Sequence, residues 1–599
     1  MRGLTDLPQS LLLLLATVSS TVAIPFQQWD HDGQVVLDSA SSGRRGAVAC
    51  ESKVCSQIGI DLIALGGNAV DAFIGTQLCV GVIGMYHSGL GGGGFSLIRD
   101  RDGEYTVIDY RESAPAAAFQ DMYQGNRNGS IFGGLAAGVP GELRGLELAH
   151  TKFGDLPWST VVQPAADVAR DGFLVTPDTI KYMEAAIQMA GWNFLVEDPS
   201  WAQDFAPNGT LIKLGDTMYR KRYADTLQKV ADNGADVFYT GEIAEATIAS
   251  LQKQNGTMTL QDLAEYKAII RPSVNITYRG INLYSAGSPS SGVVGLSALK
   301  TLEGYDAAES KADMNLTWHR FDEAMRFAYG ARQSLGDPDY VTDTDIALLE
   351  QKMLDAGQAA TIRGRILDNA TQPVENYDSE KVYVTEGHGT SHIVTLDGRT
   401  GMAVSSTTTI NLLFGNLIMV PETGVVLNNE MDDFSVPGRK NAFGFEPSPA
   451  NFIRAGKRPL SSITPIIAEF PSSSSPTSLS KSSSGGSKGR VKTVVGAAGG
   501  SRIISATTQV LWHVLEDHSP TMRHAIAHPR LHDQLMPNEA VFEYSFDNAT
   551  VATLAARGHK VTWVREGVSA VQGILVDGLT GVFEAASETR QASSGGLVL

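Results

Sequence analysis

Glu386-Gly387-His388-Gly389-Thr390-Ser391-His392-Ile393-Val394-Thr395 places a threonine directly after a glycine, at the head of a strand-like run. Ile393 to Leu396, a turn at Asp397-Gly398-Arg399-Thr400-Gly401 and then Met402 to Thr407 make a hairpin in which Thr390 is the first residue. A threonine hydroxyl is a poor nucleophile. One way to activate it is to cut the preceding peptide bond, so that its own α-amino group becomes a base beside the oxygen. An α-amino pKa of about 7.7 to 8.0 leaves a useful neutral fraction near neutral pH, and no histidine is then required. Taken alone, the peptide also reads as a threonine-rich strand, which β-branched residues favour. Segments further along the chain decide between the two.

Working outward, the chain runs through Gly401-Met402-Ala403-Val404-Ser405-Ser406-Thr407-Thr408-Thr409-Ile410-Asn411, Leu427-Asn428-Asn429-Glu430-Met431-Asp432-Asp433-Phe434-Ser435, Pro459-Leu460-Ser461-Ser462 and Gly496-Ala497-Ala498-Gly499-Gly500-Ser501-Arg502. Upstream stand Gly66-Gly67-Asn68-Ala69-Val70-Asp71-Ala72, Ser88-Gly89-Leu90-Gly91-Gly92-Gly93, Asp109-Tyr110-Arg111-Glu112-Ser113-Ala114-Pro115, Gly138-Val139-Pro140-Gly141-Glu142 and Arg326-Phe327-Ala328-Tyr329. Together, in one collinear order from about residue 45 to the C-terminus, these segments resemble the γ-glutamyltransferase (γ-glutamyltranspeptidase) family of N-terminal-nucleophile hydrolases.

The resemblance implies an α+β fold, a four-layer αββα sandwich with two stacked, mainly antiparallel sheets. The residues themselves support only mixed α and β, since strand and helix do not alternate as a parallel sheet requires. It also implies a proenzyme cut before Thr390 into a large subunit, 24–389, and a small subunit, 390–599, which form a heterodimer within one αββα unit. Thr390 would then form an ester with the γ-glutamyl group of glutathione, its conjugates or other γ-glutamyl compounds, and pass it to water, an amino acid or a dipeptide. By the family's pattern Thr409 hydrogen-bonds the nucleophile, and Gly499 and Gly500 face the developing oxyanion. Arg111 with the hydroxyls of Ser461 and Ser462 takes the donor's α-carboxylate, while Asn411, Glu430 and Asp433 hold its α-ammonium. The charge logic agrees, because a planar guanidinium clamps a carboxylate bidentately. Phe443 lies where the family carries a loop over the site. Two alternatives remain open: a related acylase acting on another amide, and an uncleaved homologue kept for binding. No cofactor and no metal are expected.

Size and charge bound the rest. The 599-residue chain carries a formal charge of −18, which argues against nucleic acid as a partner because phosphate neutralisation needs a basic face. Arg2, the apolar Leu11 to Val18 and the small-residue site Thr21-Val22-Ala23 read as an export signal over 1–23. A signal anchor, membrane or vacuolar, is the alternative to secretion. Asn128, Asn208, Asn255, Asn275, Asn315, Asn369 and Asn548 each open an Asn-x-Ser/Thr triplet, the acceptor for N-glycosylation.

Cys55 to Leu65 and Ala69 to about Val82 read as two amphipathic helices separated by Gly66-Gly67-Asn68. In an antiparallel pair the start of the first lies beside the end of the second, which brings Cys55 and Cys79 within disulfide reach. Cys50 is left over as a buried or unpaired thiol. A longer helix is predicted over Trp318 to Leu335, stopped by Gly336-Asp337-Pro338. Pro471 to Gly489 is rich in Ser, Gly and Lys and is expected to be a disordered surface insert between two strands.

Two patterns are set aside. Gly89-Leu90-Gly91-Gly92-Gly93-Gly94 satisfies G-x-G-x-x-G, yet a helix precedes it and a strand follows, the reverse of a dinucleotide site. Close backbone packing near the active centre is its expected use. His513, His518, His524, His528 and His532 lack a carboxylate or cysteine at ligand spacing, and Pro520 and Pro529 break any helix that would align them. His392 shares a strand face with Thr390 and is a candidate supporting residue.

Overall fold

The computed structural model describes residues 28–29, 35–36, 42–378, 382–383, 389–439, 445–471, 489–516 and 518–599. The expected export signal, Phe443 and nearly all of the 471–489 insert lie outside the described residues. Residues 1–39 form a unit of their own, in which Gln28–Trp29 pairs antiparallel with Val35–Val36. Residues 40–599 form the second unit.

That second unit is built on two seven-stranded sheets whose neighbouring strands all run antiparallel. The first runs, in spatial order, Gly595–Val598, Gly46–Cys50, Ser391–Asp397, Ala403–Thr409, Gly93–Arg99, Tyr105–Asp109 and Ile269–Arg271. The second runs Ser273–Tyr278, Ile281–Ala286, Ile466–Phe470, Arg490–Ala498, Ala570–Val576, Phe583–Ala586 and Ser42–Gly43. Segments on both sides of residue 390 contribute to each sheet, so neither part could complete a sheet alone.

Alternation along Ser391–Asp397 decides what each face meets. Val394 and Leu396 pack with Val494 and Val495 of the second sheet. Ile393, pointing the other way, packs with Val70 and Phe73 of helix Ala69–Ile83, and the Thr395 hydroxyl donates to Ala69 O at 2.8 Å. Helices Gly292–Glu303 and Arg502–Leu515 cover the outer face of the second sheet. The result is the expected four layers.

The helix pair forms as Lys53–Ala64 and Ala69–Ile83, the second opened by a capping box in which Asn68 accepts from Val70 and Asp71 N–H. It is not amphipathic as expected, for every residue from Ala69 to Ile83 is buried between sheet and outer helices. Cys55 and Cys79 are joined, with Cα atoms 5.4 Å apart and a sequence separation of 24. Closing a loop of that length is worth about 3 kcal/mol. Replacing both cysteines by serine should therefore lower unfolding free energy by about that amount in denaturant titration; a change under about 1 kcal/mol would show that the link is not a stability element. Cys50 is buried, contacts Ser52 O and Ser56 Oγ, and burial pushes its thiol up to about 12.

The long helix runs Met314–Arg332, not 318–335. It starts a turn early because the Asp313 side chain caps Leu316 N–H at 3.0 Å. At its last residue the Arg332 guanidinium donates to Ser291 Oγ at 3.0 Å and Ser462 Oγ at 3.1 Å. Ile466–Phe470 and Arg490–Ala498 pair with each other, so the Ser-rich insert spans the end of a hairpin. Among the described residues no helix is long and apolar enough to cross a membrane.

Candidate active site

Thr390 immediately precedes the strand Ser391–Asp397 and is 6% exposed. The Thr390 hydroxyl donates to the carbonyl oxygen of the residue before it, Gly389. Thr409 ends the adjacent strand, and its hydroxyl donates to the same carbonyl at 2.5 Å while accepting from Asn411 N–H at 2.8 Å. The Gly389 carbonyl is thereby polarised by a fixed donor in a buried place, where such bonds are strongest.

Asn411 follows with φ 68°, a left-handed backbone that asparagine tolerates better than most residues. Its amide donates to Asn429 O at 3.0 Å, and Asn429 Oδ1 accepts from Leu412 N–H at 2.9 Å. This joins the segment after Thr409 to the turn Glu430–Asp433. There the Arg111 guanidinium, fully buried, contacts Glu430 and donates to Asp433 Oδ2 at 2.5 Å. Burial works against its charge, but Glu430 and Asp433 outweigh it and hold Arg111 above its ordinary value. Burial also pushes Glu112 up to about 7 and Glu430 well above the usual carboxylate range, with Arg111 opposing both and Glu112 adding to the rise of Glu430.

Other expected site residues stand a step further off. Asn451 donates to Asp433 O at 2.7 Å and accepts Leu460 N–H at 2.9 Å, which ties the acidic turn to Ser461 and Ser462. Ser461 Oγ accepts from Ile463 N–H at 3.2 Å, and Ser462 Oγ faces Arg332; neither hydroxyl has a described bond to Arg111. Gly499 and Gly500 follow the strand Arg490–Ala498 with φ of 126° and 59°, a conformation that favours glycine. Among the described hydrogen bonds none links them to Thr390. The strand that delivers them packs face to face on the strand Ser391–Asp397, with Gly496 seated on the His392 ring.

His392 is neutral, since burial pushes its imidazole down to about 3. Its Nδ1 lies 2.8 Å from Thr407 Oγ1 and its Nε2 3.2 Å from Ser405 Oγ. Both ring nitrogens are thus engaged within the sheet, and no described hydrogen bond links His392 to Thr390. The glycine run has the expected use: a Cβ on Gly92 would lie 2.0 Å from Thr409 O, and one on Gly93 2.3 Å from Tyr110 O.

Glu112, Asn428 and Asn451 were not singled out from sequence. Asn428 is the central clasp, accepting from Gly138 and Glu430 N–H at 2.9 Å and donating to Gly91 O at 2.7 Å. The signal available for Glu112 was its place beside Arg111; for the two asparagines there was none beyond the motifs holding them. The histidines from 513 to 532 pack as aromatic rings, His513 on His528 at 4.2 Å. The described groups close enough to share an ion lie elsewhere, around His559. There His319 Nδ1 and His559 Nε2 stand 2.8 Å apart, in direct hydrogen bond.

Behind Thr409, Glu142 accepts from Gln77 Nε2 at 2.6 Å and from Thr408 Oγ1 at 2.9 Å, and burial pushes its carboxyl up to about 8 despite those donors. A carboxyl raised on folding contributes stability that is full below its unfolded pKa of about 4.3 and lost as pH rises through the folded value. Glu142→Gln, which has no charge to bury, should therefore melt higher relative to wild type at pH 9 than at pH 5. A Tm difference independent of pH would contradict the raised carboxyl.

The fold is shared with solved structures: the cephalosporin acylase of Bacillus halodurans superposes with a TM-score of 0.78 at 23% identity, over 94% of this chain and 98% of the other. The γ-glutamyltranspeptidase of Helicobacter pylori superposes with a TM-score of 0.51 at 30% identity, over 54% of this chain and 92% of that one. The family model for gamma-glutamyltranspeptidase matches residues 55–598, and the chain belongs to that family. Among its relatives, the glutathione hydrolase proenzyme of Arthroderma benhamiae is 49% identical over 573 residues, 94% of each chain. That of Escherichia coli is 35% identical over 555 residues, 91% of this chain and 90% of the other.

Proposed function

We propose that the chain is a γ-glutamyltransferase and glutathione hydrolase, made as a proenzyme that cuts itself between Gly389 and Thr390. The observation that carries this is the grip of Thr390 and Thr409 on one carbonyl beside a buried Arg111 held by Glu430 and Asp433, in a member of this family. In the first reaction Thr390 Oγ bonds to the Gly389 carbonyl carbon as the C–N bond breaks. Water then hydrolyses the resulting ester and leaves Thr390 with a free α-amine, the base for every later turnover.

In turnover, the donor's α-carboxylate takes the Arg111 fork and its α-ammonium takes the carboxylates so released, so each buried charge keeps a partner. Thr390 attacks the γ-carbonyl, and the Gly499 and Gly500 N–H groups receive the oxyanion. The amine fragment leaves with the nucleophile's proton, and water, an amino acid or a dipeptide resolves the γ-glutamyl ester. Large and small chains stay together because each sheet contains strands of both.

Export follows from the signal-like 1–23. Six of the seven sequon asparagines are exposed, while Asn315 is partly buried and accepts from Thr550 Oγ1 at 2.8 Å. Glycans are accordingly proposed at Asn128, Asn208, Asn255, Asn275, Asn369 and Asn548 before Asn315.

The decisive assay is anilide release from a γ-glutamyl anilide with and without Gly-Gly. Release that quickens with Gly-Gly and yields a γ-glutamyl tripeptide is expected. Equal rates on an anilide whose acyl group lacks the α-amine and α-carboxylate would overturn this function in favour of an acylase.

A further inference from the structure

Cutting before Thr390 turns the end of a central strand into a chain terminus, and termini fray unless tied down. The sheet's register makes this acute. On one side Ser391 pairs with Thr408, but on the other the strand Gly46–Cys50 reaches only residues 394–397. Ser391, His392 and Ile393 therefore have no ladder partner on that edge among the described residues. Past the end of that ladder the contact is made by side chains. The chain leaves its strand at Cys50 and sets Glu51 against the nucleophile strand, where Glu51 Oε1 accepts from the Ser391 hydroxyl at 2.9 Å. Ser88 Oγ donates to Ser391 Oγ at 3.3 Å.

Glu51 is itself fixed. His87 Nδ1 lies 3.1 Å from Glu51 Oε2, and both side chains are buried. Glu51 also rests on Gly84, where a Cβ would come within 2.1 Å of Oε1. The backbone of the same segment reaches the other wall of the site: His87 O accepts Ile410 N–H at 2.9 Å, and Tyr86 O accepts Phe414 N–H at 3.0 Å. One short stretch, 84–88, thus holds both the start of the nucleophile strand, through Glu51, and the segment carrying Thr409 and Asn411, through its carbonyls.

We propose that Glu51, oriented by His87, is a positioning residue that anchors the Ser391 side chain where the strand's ladder is one-sided and keeps Thr390 in register with Thr409 and Asn411 once the chain is cut. This rests on Thr390 being the nucleophile. Misplacing a nucleophile by about 1 Å costs about 100-fold in rate, and the loss falls on the chemical step, since the donor's charges are read by Arg111, Glu430 and Asp433.

The test uses the cut, purified enzyme with a γ-glutamyl anilide. Ser391→Ala, which removes one hydroxyl, and Glu51→Ala should each lower kcat by about 10- to 100-fold with KM within about twofold. Glu51→Gln, which still offers an oxygen to Ser391, should restore most of that loss. The double variant Glu51→Ala with Ser391→Ala should be no slower than the slower single one, because both remove the same contact. A Ser391→Ala enzyme with wild-type kcat, a loss carried by KM, or losses that multiply in the double variant would overturn the proposal. Thr390→Ala run alongside separates the two levels. If it is dead while Ser391→Ala is fully active, only the positioning role falls; if it turns over, the nucleophile assignment falls first.

Discussion

Thr390→Ala is expected to remain a single chain of the full 63.9 kDa, less any export signal, and to lose turnover by at least about 10⁴-fold. The variant keeps the hairpin, since alanine adds nothing that the buried site would have to accommodate, but it removes the Thr390 hydroxyl that contacts the Gly389 carbonyl. Wild type should instead give two chains, the smaller starting at Thr390. Gel electrophoresis and N-terminal sequencing read the cut; anilide release reads the turnover. Two chains from Thr390→Ala, or an active single-chain wild type, would end the mechanism.

Arg111→Ala and Asp433→Ala carry the next largest expected effects. Each would leave a charge of the donor's amino-acid end unpaired in a pocket where Arg111 is 1% and Asp433 14% exposed, at about 2 to 5 kcal/mol. That corresponds to a loss of kcat/KM of about 30-fold to several thousand-fold. Arg111→Lys should fall between wild type and alanine, because an ammonium keeps the charge but not the fork. Cleavage at Gly389 should suffer less than turnover, since the scissile glycine presents no free amino-acid end. Wild-type kcat/KM in either alanine variant would show that the charges are read elsewhere.

How much of this was legible in the chain depends on what each feature rests on. The hairpin headed by Thr390, the helix pair with its disulfide and the strands flanking the Ser-rich insert are local. Their signals are alternation, apolar spacing and turn residues within a few positions, and the structure reproduces them to within a few residues. The errors are local too. The long helix begins early because a side-chain cap outweighed the first apolar position, and the second helix of the pair is buried all round because helices cover it from outside.

What the sequence by itself determined is the chemistry on offer: a threonine after a glycine, an arginine beside a glutamate, an acidic turn, a pair of glycines, and the family these motifs resemble. Which of them meet is a tertiary fact. Arg111 reaches Asp433 across 322 positions and Ser391 reaches Glu51 across 340, and no local pattern records either distance. Both contacts exist because two sheets bury their inner faces together, and that fixes the strand order, hence which loops share an end of the sandwich. The roles of Glu112, Asn428, Asn451 and Glu51 became visible only there, for a polar side chain in a buried place shows its purpose through the partner that satisfies it.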